Sequence, residues 1–107
     1  MLRRKRKTEE QKGEIRKKVE AQNEFFLRIW KKREHKSEVS GTFLGHTALT
    51  IFFHHILPKS KYPDLRFEED NIIILTFEEH QNVEQDMYRY EEVNKRREQL
   101  KIKYELN

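Results

Sequence analysis

The sequence contains no cysteine, which excludes disulfides and thiolate metal sites and makes a cytoplasmic setting the simplest expectation. Prolines number two and glycines three in 107 residues, so long stretches lack any helix breaker. No apolar run approaches the roughly 20 residues needed to cross a membrane. The basic start is not followed by an apolar segment, so no signal peptide is expected. Apolar residues are scarce as well: they make up 35% of the chain, against 39% charged residues, where an average soluble domain has about 25% charged. A single domain with a small core follows.

What is abundant is charge, and its distribution says more than the net +4. Residues 1–36 hold 14 Lys and Arg against 6 Asp and Glu, a balance of +8; the rest of the chain holds 9 against 13, a balance of −4. The basic third would attract a polyanion such as DNA. Within it, Arg3, Arg4, Lys5, Arg6 and Lys7 form a like-charge block that repels itself. Residues 1–7 therefore read as a disordered arm, able to grip phosphates or simply to stay solvated.

Residues 8–107 read as one α+β domain. From Thr8 to about Glu34–His35 there is no proline and only Gly13, and Ile15, Val19, Phe26 and Trp30 recur at offsets that share one helical face. An amphipathic N-terminal helix is expected over about 8–35, with Phe25, Phe26, Ile29 and Trp30 as its core contribution. Ser37 to Gly41 reads as a turn, Thr42 to Leu44 as a short strand and Thr47 to Ile56 as β-rich; the run Ala48–Leu57 is long enough for a strand and is stopped by Pro58. His35 and His46 lie in polar surroundings and receive no role.

That β-rich run ends in His54-His55, which alternation on a strand sends to opposite faces. Such a pair divides labour more readily than it chelates one ion. A polar loop follows, with Lys59, Lys61 and Arg66 as candidate phosphate contacts. Asn71 then opens the apolar run Ile72–Leu75, a buried strand by composition. Thr76-Phe77-Glu78-Glu79 has the form of a capping box, so a helix is expected from Phe77. His80 and Glu84 lie four residues apart near the start of that helix, a spacing that presents two ligands to one divalent ion.

The order strand, His-His, loop, Asn, strand, helix, His, written HHILPKSKYPDLRFEEDNIIILTFEEH, resembles the HNH endonucleases. The resemblance covers about residues 37–90. It implies a ββα-metal core over about 42–90 and one divalent ion (Mg, Mn, Zn or Ni) held by His54 and His80, with Glu84 completing the set. It further implies His55 as general base for phosphodiester hydrolysis, Asn71 as a brace for the loop or for His55, and DNA as substrate. Many such proteins carry a structural zinc on two Cys-x-x-Cys pairs; the corresponding positions here are Ser37, Ser40, Thr76 and Glu79, so no structural zinc is expected.

Beyond the motif, the helix is expected to run to about Tyr88 and a C-terminal helix to span about 90–105. Val83, Met87, Tyr90, Val93, Leu100 and Tyr104 form a stripe expected to pack on the N-terminal helix, with any exposed part serving a homodimer. Asn94-Lys95-Arg96-Arg97 offers a basic patch. Two alternatives to an enzyme stand beside the nuclease: a non-catalytic nucleic-acid-binding module, and a structural component of a phage or mobile-element complex.

Overall fold

The computed structural model of the chain describes residues 7–106. Three helices surround a two-stranded antiparallel sheet, so the α+β class expected from sequence is present. The block Arg3–Arg6 lies outside the described residues, and Lys7 beside it is exposed.

Helix α1 spans Glu9–Lys32. It begins there because Thr8 and Gln11 satisfy one another's backbone: Thr8 Oγ1 accepts from the Gln11 N–H at 3.1 Å, and Gln11 Oε1 accepts from the Thr8 N–H at 2.9 Å. Glu9 and Glu10 in the first turn and Lys31 and Lys32 in the last complement the helix dipole. Only the second half reaches the core, through Phe25, Phe26, Ile29 and Trp30. Ile15 and Val19, expected on the same buried face, are 41% and 51% exposed, because no other element extends far enough to cover them.

The segment after α1 makes a tight turn in which the Ser37 N–H donates to Thr42 O at 2.8 Å and the Gly41 N–H to Ser37 O at 3.0 Å. Gly41 sits at φ +76°, a left-handed conformation that glycine adopts without a Cβ clash. The strand expected at Thr42–Leu44 is reduced to one bridge between Lys36 and Phe43. The strand expected over Ala48–Leu57 is likewise shorter. Thr50–Phe52 is a single 3₁₀ turn, and β1 is Phe53–His55.

Strand β1 pairs with β2, Ile72–Ile74, in the register Phe53 to Ile74, His54 to Ile73 and His55 to Ile72. Flanking bonds from Ile56 N–H to Asn71 O (2.9 Å) and from Leu75 N–H to Phe52 O (2.8 Å) extend the ladder by one step at each end. The outer edge of β2 is closed by side chains. Arg33 donates to Ile72 O, while Glu38 accepts from the Ile74 N–H through its carboxylate and donates to Ile74 O through its backbone. Among the described residues no strand pairs with the other edge of β1.

Helix α2 spans Phe77–Gln85 and starts at the predicted box: Thr76 Oγ1 accepts from the Glu79 N–H at 3.0 Å, and Glu79 Oε1 from the Thr76 N–H at 2.8 Å. It stops three residues short of Tyr88, where Asp86 turns extended. Helix α3 spans Glu91–Lys103. Alternation along β2 explains why Ile72–Leu75 is apolar throughout, because both faces of the sheet are covered. Ile72 and Ile74 join Phe52, Phe53 and the α1 aromatics in one cluster. Ile73 and Leu75 join Ile56, Leu57, Val83, Val93 and Leu100 in the other. The stripe on α2 and α3 therefore packs on the sheet face opposite α1, not on α1 itself. Met87 is exposed.

Arg96 and Arg97 do not form a free basic patch. Arg96 is paired with Glu38 and Glu92, and Arg97 is buried, donating to Met87 O and Asn94 Oδ1. No helix of the described residues is long and apolar enough to cross a membrane.

Candidate metal centre

The open edge of β1 lines a cleft of about 640 Å³ between α1 and α2. His54, His55, His80 and Glu84 all open onto it, together with Lys59 from the loop and Gln22 and Phe26 from α1. Alternation works as the sequence implied: His54 turns toward His80 on α2, ring centroids 5.1 Å apart, and His55 toward Phe26 on α1, 6.0 Å. The cleft reaches both rings because it wraps the strand edge.

One nitrogen of His54, one of His80 and a carboxylate oxygen of Glu84 lie within 4.8 Å of one another. Glu84 Oε1 is 3.2 Å from His80 Nε2 and 3.7 Å from His54 Nδ1. His80 Nδ1 lies 2.5 Å from Ile51 O. A carbonyl can only accept, so Nδ1 carries the proton and Nε2 presents its lone pair when the ring is neutral. The 3₁₀ turn at Thr50–Phe52 is what aims Ile51 O at that ring; a continuous strand would have spent the carbonyl differently.

His54 is mostly buried. Burial first, then the neighbouring His80, His55 and Arg97, pull its pKa down to about 4, which keeps its lone pair free near neutral pH. With His80 neutral and the His54 proton on Nε2, three lone-pair donors face one another with no proton between them. Two imidazoles and a carboxylate in that arrangement suit a divalent transition ion such as zinc, nickel or manganese, and tolerate magnesium less readily.

His55 is anchored differently. Its Nε2 donates to Arg66 O at 2.9 Å, which leaves Nδ1 as the acceptor. Burial lowers its pKa, the hydrogen bond to the Arg66 carbonyl opposes that, and the charges of Lys59 and Arg66 add to the lowering. Asn71, fully buried, holds the loop that supplies this carbonyl. Its Oδ1 accepts from the Leu57 N–H at 2.7 Å, and its Nδ2 donates to Leu57 O and Leu65 O, each at 3.1 Å. Asn71 thus braces the loop; among the described residues it makes no hydrogen bond to His55.

Of the candidate phosphate contacts, Lys59 is on the cleft, its Nζ donating to Gln22 Oε1 at 3.1 Å. Lys61 rests over the Tyr62 ring and Arg66 over the Phe67 ring, and neither lines the cleft. Arg66 contributes its carbonyl instead.

Two features escaped sequence reasoning. Arg97 is a buried cation near enough to His54 for its charge to lower that pKa, although its sequence context reads as surface. The second is a polar knot under α2. Ser37 Oγ donates to Glu79 Oε1 at 2.6 Å while accepting from the Val39 and Ser40 N–H groups, each at 3.1 Å. Burial pushes the Glu79 carboxyl upward, but hydrogen bonds from Ser37, Thr76 and Ser40 outweigh it and hold the group below the usual carboxylate range. Comparison of the chain with protein-family models, with curated proteins and with solved structures found no match.

Proposed function

We propose that the chain is a metal-dependent endonuclease of the HNH type, in which β1, β2 and α2 form a ββα-metal unit and His54, His80 and Glu84 hold one divalent ion. The observation that carries this reading is the convergence of those three donors beside a fourth, separately anchored imidazole, His55, on one cleft. A binding surface needs no unprotonated imidazole held by a carbonyl next to a ligand set. The polar knot lends support of a different kind. Ser37, Ser40, Thr76 and Glu79, the positions that the resemblance assigns to two Cys-x-x-Cys pairs, are drawn together around the Glu79 carboxylate.

In the proposed reaction, a bound ion supplies positive charge to the scissile phosphate and its leaving oxygen. His55 takes the proton of the attacking water at Nδ1, and its lowered pKa keeps that nitrogen unprotonated at neutral pH. The Arg66 carbonyl fixes the ring and stabilises the imidazolium that forms. Asn71 holds that carbonyl in place through the loop, and Lys59 offers a charge to a neighbouring phosphate. DNA hydrolysis by the purified chain, present with manganese, magnesium, nickel or zinc and abolished by EDTA, is the expected result. Failure of metal-loaded, folded protein to cleave duplex, nicked or single-stranded DNA would refute the proposal.

A further inference from the structure

The first half of α1 is a helix with no fold to lean on. Between Glu9 and Ala21 no residue is buried, yet a capping box at Thr8 starts the helix four turns before its first core contact. Its charges cancel, four acidic against four basic, but they are segregated. Gln11, Lys12, Lys18 and Val19 each lie three or four residues from Ile15, and Gln22 lies three from Val19 and four from Lys18, so the six share a face, and Arg16 borders it. That face contains no carboxylate. Glu10 and Glu24 lie on the opposite side, Glu14 and Glu20 sit at the two edges, four residues from Lys18 and Arg16 respectively, and Glu9 meets the margin through a solvent-exposed pair with Lys12.

The carboxylate-free face is also the one aligned with the cleft, because its last residue, Gln22, lines the cleft and accepts from Lys59. Thirteen residues of helix extend it by about 20 Å, the rise of about six base pairs. We infer that this projecting face of α1 is the docking surface for the nucleic-acid backbone, carrying a strand from Lys12 past Arg16 and Lys18 to Gln22 and Lys59 at the cleft mouth. Lys12, Arg16 and Lys18 contact phosphates, while Ile15 and Val19 pack on the sugars between them. The inference rests on the nucleic-acid substrate of the proposed function and adds where that substrate lies.

The test measures binding of a fluorescent 20-base-pair DNA duplex to the full chain in EDTA, across a salt series. Lys12→Gln/Arg16→Gln/Lys18→Gln is compared with Lys17→Gln/Arg28→Gln/Lys31→Gln, which removes the same charge from the acidic side. Glutamine preserves helix propensity. The first set is expected to bind roughly tenfold to a hundredfold more weakly, with the slope of log affinity against log salt shallower by about 2 to 3; the second should change far less. Lys18→Gln alone, should the triple variant lose helix by circular dichroism, is expected to flatten the slope by about 1.

Equal weakening by both sets would show a net-charge effect and overturn the inference, as would unchanged binding by the first. A change in oligomeric mass in the first set, with DNA binding intact, would assign the face to a second copy and overturn it too. Metal-dependent cleavage by the wild type is scored in parallel. A wild type that cleaves while the first set binds normally refutes this surface and spares the nuclease. A wild type that binds through α1 but never cleaves upholds the surface and refutes the nuclease.

Discussion

Replacing Asn71 by alanine should be among the most damaging single changes in the chain. The side chain is fully buried and bonds three backbone groups. Leu65 O keeps a second partner in the Glu68 N–H. The Leu57 N–H and carbonyl have no other partner among the described residues, and Leu57 is 1% exposed, so water reaches neither without local opening. Two orphaned buried groups at about 1–3 kcal/mol each give a loss near 4 kcal/mol, a large part of the roughly 5–15 kcal/mol that holds a domain together. Urea unfolding followed by circular dichroism measures it directly. Asn71→Asp sharpens the test, since it keeps the acceptor for Leu57 N–H but sets a carboxylate oxygen against two carbonyls. It should cost at least as much at pH 7, with the gap to wild type narrowing as acid protonates the new group. A loss below about 1 kcal/mol for Asn71→Ala would refute this account of how the loop is held.

Other consequences are equally direct. Because the folded-state pKa of Glu79 lies below its unfolded value, its contribution is complete above the unfolded pKa and is lost as pH falls through the folded one. Glu79→Gln and Ser37→Ala should both flatten the acid limb of the stability curve, read by thermal melts from pH 6 to pH 3, and a limb identical to wild type would contradict the knot's role. His54, with a folded pKa of about 4 against 6.5, is protonated first in the unfolded chain, so stability should fall as pH drops from 6.5 toward 4. The loss is up to about 3 kcal/mol. In EDTA, His54→Gln should remove much of that slope and leave the part that His55, whose pKa is also lowered, contributes; an unchanged slope would show that burial does not suppress the charge on His54. His80→Ala should weaken manganese or zinc binding at least about tenfold, seen by calorimetry as lost heat and by melting as a lost metal-induced shift; wild-type affinity would remove His80 from the ligand set.

The parts of this structure that could be read from sequence are those governed by neighbours a few residues away. The box at Thr76–Glu79 specified where α2 begins, and the four apolar residues Ile72–Leu75 specified a strand covered on both faces. The spacing of His80 and Glu84 placed both on one helical face, where the structure has them. What failed depended on distant partners. Ala48–Leu57 has strand composition, but its partner β2 offers only three residues, and the remainder turns to aim Ile51 O at His80. Ile15 and Val19 have core periodicity, yet nothing in the helix itself reveals that the core ends below them. The hydrogen bond from Ser37 to Glu79 spans 42 positions, and a serine in a polar turn gives no sign of it. Arg97 reads as one more cation in a basic run until α3 buries it.

The central claim is that His55 acts as a base beside an ion that it does not hold, and one comparison addresses it directly. Supercoiled plasmid is incubated with wild type and with His55→Ala, each loaded with the same metal and each shown by calorimetry to bind it. Nicking or linearisation by the wild type, with loss of roughly two orders of magnitude or more in the variant at unchanged metal affinity, is the predicted result. Equal cleavage by the two proteins, or loss of metal binding along with activity in His55→Ala, would contradict the assignment.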